Sequence, residues 1–117
     1  LPPDCGIDAG PKAPPAGTSH TLHRTSPLPK HRGVTYRMDV ESNGPGKQGN
    51  IHVQFKGKGY KHNEKFTFRP TDCRWVNEAG DVLERAISKR FDEREILAGY
   101  RWLDAQPPSC LGGGGQR

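Results

Sequence analysis

Large apolar residues are scarce in this chain. Leu, Ile, Val and Phe supply 20 of its 117 residues, under the roughly one fifth at which highly charged chains stay unfolded. Fifteen of the 20 lie between Val34 and Leu103. One small core with loose ends is therefore expected, and too little apolar residue remains elsewhere for a second domain. No apolar run approaches the roughly 20 residues that cross a bilayer. The start lacks a charged segment followed by an apolar one, so no secretory signal is read there. It opens on Leu1 rather than Met, and we expect a segment of a longer protein. Cysteine is rare and odd in number: Cys5, Cys73 and Cys110, with no CxxC. A Cys5–Cys110 bridge between the tails is conceivable. Three ordinary thiols is the plainer reading, since Gly- and Pro-rich tails do not fix Cα separations. Cys73 has no evident activating neighbour. The cysteines with His20 and His23 match no zinc pattern. HExxH and GxSxG are missing too. A metal nuclease built on Asp39, Glu41 and His52 would lack the usual ligand spacing.

What is abundant is Gly (15), Pro (11) and positive charge, 18 Lys and Arg against 13 acids. Residues 1–32 hold seven prolines and four large aliphatic or Phe residues. We read them as a flexible linker or arm, 33–106 as the folded domain, and 107–117 as a flexible tail. Residues 30–75 carry ten Lys and Arg against four acids, while the flanking blocks are close to neutral. A basic block that also reads as β-strand is a footprint for phosphates, or else a solvated surface.

VTYRMDV, NIHVQFK and EKFTFR alternate apolar and polar residues, the mark of half-buried strands. ESNGPGKQG and GKGYKHN read as loops. CRWVNEAGDVL reads as a short strand, a turn at 77–81 and a short return. After Leu83 the period lengthens. Ile87 and Phe91 suggest a short helix, and Asp92 with Glu95 resembles a capping box. Ile96, Leu97, Tyr100 and Leu103 then form one helical stripe, ended by Pro107 and Pro108. The expected fold class is α+β: a small antiparallel sheet of about four strands followed by two short helices packed on one face. Trp75, Tyr100 and Trp102 read as core more readily than as base-stacking platforms.

If the apolar faces meet the helices, the other face carries His52, Gln54 and Lys56 on one strand and Lys65, Thr67 and Arg69 on the next. Arg37 and Asp39 lie on the same face of the first strand. Metal-free RNA cleavage needs a base for the 2′-hydroxyl, an acid for the leaving oxygen and cations for the phosphorane. His, Lys and Arg supply these. His52, Lys56 and Arg69 are the expected catalytic residues, with His52 at least partly exposed. Arg37, Lys47, Gln54, Lys65 and Thr67 are the expected substrate-binding residues. His52 as a plain surface histidine is the alternative. The Gly44–Gly49 loop reads as a hairpin loop or as a phosphate nest, and it lacks P-loop spacing.

YRMDVESNGPGKQGNIHVQFKGKG, EKFTFRP, RWVNEAGDVL and ILAGYRWLD together resemble the C-terminal toxin domains of bacterial polymorphic toxins. These are the variable ends of Rhs-type and contact-dependent-inhibition proteins. The match runs from about Tyr36 to Leu103, and Gly49-Asn50-Ile51-His52-Val53-Gln54 is its most specific part. The resemblance implies a secreted antibacterial effector that cuts RNA in the target-cell cytoplasm without a metal or other cofactor. It also implies a cognate immunity protein, acidic if it covers a basic face. Some such toxins share the fold of barnase and colicin nucleases, in which helices usually precede the sheet; here they follow it. We expect a monomer when unbound, with no membrane insertion. A non-catalytic nucleic-acid-binding module using the same face, and a small delivery or interaction domain, are the competing expectations.

Overall fold

The alternating segments do form one antiparallel sheet. The computed structural model describes residues 3–57 and 64–111. A 3-10 turn, Pro3–Cys5, leads into β1 (Ile7–Asp8), β2 (Ser19–Pro27), β3 (Val34–Glu41), β4 (Gln48–Gly57), β5 (Glu64–Arg69) and β6 (Arg74–Asn77). The helices α1 (Arg85–Ser88) and α2 (Glu93–Trp102) follow. Spatial order is β2-β3-β4-β5-β6, with β1 pairing the start of β4. The α+β class and two short helices stand, but the sheet has more strands than the expected four. The loop expected over GKGYKHN falls at 57–63, and its part at 58–63 lies outside the described residues.

Register follows from the alternation. Tyr36 pairs Phe55, Met38 pairs Val53 and Val40 pairs Ile51. These residues share the buried face with Phe66, Phe68 and Trp75, and α1 and α2 add Ile87, Ile96, Tyr100 and Leu103 to the same core. Trp75 and Tyr100 are thus core residues, and Trp102 packs against the core with its ring stacked over His20. Gly99 lets α2 lie close on the sheet, because a Cβ there would come within 2.7 Å of Ile51 Cδ1. Asp92 caps α2 by accepting from the Arg94 N–H. Glu95 does not complete the box; it turns instead to His23. The expected turn closes with Asn77 donating to the Asp81 carbonyl, and Val82 returns to bridge Val76.

The termini correct the sequence reading. Residues 1–32 are no flexible arm over their described part. Cys5, Ile7, Ala9, Ala13 and Leu28 are buried, and β2 pairs along β3 from Ser19↔Glu41 to Pro27↔Thr35. Composition hid this, because β2 contains one large aliphatic residue, Leu22, and two register irregularities that break the period of two. Backbone pairing supplies what side-chain burial does not, and Pro27 is tolerated because β2 is an edge strand. The segment after β1 is tied down as well. Ala9 N–H donates to the Lys47 carbonyl, Gly10 N–H to Leu103 and Lys12 N–H to Asp104 Oδ2. At the other end, Cys110 is bonded to Cys73 and Leu111 is buried. Residues 107–111 are therefore attached rather than a loose tail. Neither three free thiols nor a Cys5–Cys110 bridge is found, and Cys5 is the free cysteine.

Candidate functional site

β4 is central in the sheet, with β3 on one side and β5 on the other. Its polar positions therefore face cross-strand partners from both neighbours. His52 lies opposite Asp39 and Thr67, and Gln54 lies opposite Arg37 and Lys65. The structure thus brings together His52, Gln54, Arg37, Lys65 and Thr67 on one face, as the alternation predicts.

His52 is deeper than expected. It is 8% exposed, and Asp39 and Thr67 beside it are 6% and 5% exposed. A residue on a central strand is covered from both sides. The 3-10 turn at Pro3–Cys5 packs on β5 as well, with Cys5 Sγ 4.0 Å from the Thr67 carbonyl. The expectation of a partly exposed His52 is therefore corrected, while its facing is as expected.

A short relay fixes the chemistry of the ring. Glu41 Oε1 accepts from Asn50 Nδ2 at 3.4 Å, and Asn50 Oδ1 lies 2.9 Å from His52 Nδ1. An amide oxygen can only accept, so Nδ1 carries the proton and Nε2 holds the lone pair in the neutral ring. Nε2 is 3.9 Å from Asp39 Oδ2, too long for a hydrogen bond but close enough to attract an imidazolium. Asp39 is itself held by Arg37 Nη2 at 2.9 Å. Burial pushes His52 below the ordinary histidine range, and the Lys65 ammonium adds to this; Asp39 and Glu41 oppose it. The ring is therefore neutral at pH 7, with its Nε2 lone pair free.

Lys56 and Lys47 are not gathered here, and Arg69, on the same face beyond Thr67, is tied to Asp72. Lys56 is exposed and four residues further along β4, about 13 Å from His52 at strand rise. Arg69 lies two residues beyond Thr67, and both arms of its guanidinium are bound to Asp72, at 2.9 and 2.7 Å. Lys47 sits in the loop before β4, outside the strand that carries His52. Its loop is not an open nest. Gly46 N–H donates to Gly10, Lys47 N–H to Gly44, and Gly44 N–H to Ser42 Oγ. The basic middle block is thus dispersed. Among the described residues, the face around His52 receives Arg37 and Lys65 together with Asp39 and Glu41.

Asn50 was not singled out by sequence reasoning as a functional residue. Its signal is the i, i+2 spacing to His52, which puts both on one face of a strand. Among the described residues, no group of three or more His, Cys, Asp and Glu side chains is placed to hold a metal ion. No protein-family model, curated protein or solved structure matches the chain.

Proposed function

We propose that the chain is the nuclease end of a bacterial polymorphic toxin, and that the sheet face around His52 cleaves RNA by metal-independent transesterification. The observation that carries this reading is the Glu41–Asn50–His52 relay. It leaves a neutral imidazole with its Nε2 lone pair free, on the face that also carries Arg37 and Lys65 opposite Gln54. The resemblance at Gly49–Gln54 supports the same residue. In this reading His52 Nε2 takes the proton of the ribose 2′-hydroxyl. The oxygen attacks phosphorus, the bond to the 5′-oxygen breaks, the departing oxygen takes the proton from the His52 imidazolium, and a 2′,3′-cyclic phosphate forms. Arg37 and Lys65 stabilise the charge that develops. Gln54 and Thr67 donate to phosphate oxygens, and Asp39 steadies the imidazolium. Lys56 and Arg69 have no part in the step. No cofactor is required.

The partners that follow are RNA, met through its phosphates, and an acidic immunity protein drawn by the net charge of +5. The free domain is read as a monomer that does not insert in membranes. It is delivered from a bacterium as part of a larger protein and acts in the target-cell cytoplasm. The Cys73–Cys110 bond suits a chain that matures outside a reducing cytosol.

The test is incubation of the chain with total RNA in EDTA, followed by analysis of the new ends. Cleavage leaving a 2′,3′-cyclic phosphate or its 3′-phosphate product is expected. His52→Gln should lower the rate by roughly 10²–10⁴, the usual contribution of a general base, with the thermal midpoint checked alongside. Arg37→Ala and Lys65→Ala should each flatten the salt dependence of binding by about 0.7 on single strands. Products with 3′-hydroxyl ends, or activity lost on chelation and restored by a divalent ion, would overturn the mechanism. Full cleavage by folded His52→Gln would reduce the face to a binding surface.

A further inference from the structure

Away from the polar face, three side chains form a second connected set at the rim of the core. His23 and Ser26 belong to β2 and Glu95 to the first turn of α2. His23 Nε2 lies 2.7 Å from Ser26 Oγ. His23 Nδ1 lies 2.8 and 3.1 Å from the two oxygens of Glu95. An ionised carboxylate only accepts, so in the neutral ring Nδ1 holds the proton. Nε2 then accepts from the Ser26 hydroxyl. This is the order nucleophile, base, orienter.

The backbone explains how residues three apart share a face. On a regular strand they point to opposite sides. Here His23 pairs Met38 and Ser26 pairs Tyr36, so three residues of β2 are spent against two of β3. The irregularity turns both side chains to the core side, toward α2. Such bulges often re-aim a side chain next to an active site. The His23 ring is stacked on Tyr36 at 4.5 Å and 11°, which fixes its plane. His23 and Glu95 side chains remain 25% and 24% exposed, so a small molecule can reach them.

We propose that Ser26, His23 and Glu95 form an acyl-transfer site that acts on short, activated acyl esters, a function separate from RNA cleavage. Ser26 Oγ attacks the ester carbonyl and its proton passes to His23 Nε2. The carbonyl–oxygen bond of the leaving alkoxide breaks, and the alkoxide takes that proton. Water then attacks the acyl-serine by the same route, releasing a carboxylic acid and restoring Ser26. Glu95 keeps its two contacts to Nδ1 and holds the imidazolium. Placement on an edge strand at the surface suits a short acyl chain.

The test uses the full chain with a fluorophosphonate probe, read by intact mass and peptide mapping, together with p-nitrophenyl acetate turnover. The expected result is one adduct, on Ser26, and ester hydrolysis that Ser26→Ala reduces to the uncatalysed rate. His23→Gln should slow labelling by roughly 10²–10⁴, and Glu95→Gln should slow it less. RNA cleavage by Ser26→Ala should match the wild type, which separates the two sites. Absence of a Ser26 adduct on the wild-type chain at pH 8, which needs no variant to fold, would overturn the proposal. Equal labelling rates in wild type and His23→Gln would do the same, since Ser26 would then react without its base.

Discussion

Two buried polar groups make opposite claims on stability. His52 is buried with a partner, Asn50. Tyr100 Oη is buried with none among the described residues. Burial pushes the tyrosine hydroxyl far up, so it is neutral at any working pH, yet an unmatched hydroxyl still costs about 1–3 kcal/mol of lost hydration. Tyr100→Phe removes that loss and keeps the ring. It is expected to leave the urea midpoint unchanged or raise it by the equivalent of about 1 kcal/mol; a clear drop would mean that the hydroxyl has a partner. For His52 the sign depends on pH. Its folded pKa lies below the ordinary 6.5, so the unfolded chain binds more protons in the interval between the two values. Stability therefore rises with pH there, is complete above the unfolded value, and is lost as pH falls through the folded one. Urea midpoints measured from pH 7.5 to pH 5 should fall more steeply for wild type than for His52→Gln. The other histidines contribute alike to both curves and cancel in the difference. Parallel curves would show that the ring is not held neutral by burial.

Elements differed sharply in how readable they were. β3, β4 and β5 alternate strictly because each has one face on the core, and the face carrying His52 follows from that alternation alone. β2 reads as SHTLHRTSP, with one aliphatic residue, because its place is fixed by pairing to β3 and by contacts that composition does not register. These are the His23–Glu95 hydrogen bonds, the His20–Trp102 stack and Leu22 against Gly99. His52's depth was hidden for a related reason. Exposure on a polar face depends on which strand is central and on what the N-terminal turn covers, and neither is written in the period of the strand. The consequence is testable at this scale. Deleting residues 1–27 removes β1 and β2, strips the edge from β3 and uncovers Ile51 and Leu103. We expect a fall in the thermal midpoint of well over 10 °C, or failure to fold, given a few degrees per kcal/mol for a domain of this size. A midpoint within about 3 °C of the intact chain would show that this segment is dispensable.

The molecule as a whole is held at its C-terminal end by a covalent link rather than by core alone. After α2 the chain runs back across the β5–β6 side, and Cys110 meets Cys73 just before β6. Leu111 follows into the core. A Gly- and Pro-rich end has little apolar surface with which to hold itself, so a cross-link matters more here than in a large domain. The bond closes a loop across 37 positions. Restricting the unfolded chain in that way is worth about 3–4 kcal/mol on the chain-entropy account. Cys5 is unsuited to exchange with it: burial pushes its thiol up, so little thiolate forms. Two measurements follow. Alkylation of the denatured, unreduced chain should count one thiol, at Cys5, and three after reduction. Cys73→Ser with Cys110→Ser should lower the thermal midpoint by about 10–15 °C while leaving the His52 face, and the RNA cleavage proposed for it, intact at 20 °C, because β3, β4 and β5 hold that face without the tail. Three reactive thiols in the unreduced chain would mean that the C-terminal segment is held by packing alone, and a bridge mapped to Cys5 would overturn the Cys73–Cys110 pairing. Loss of cleavage in the still-folded double variant would tie the tail to the site.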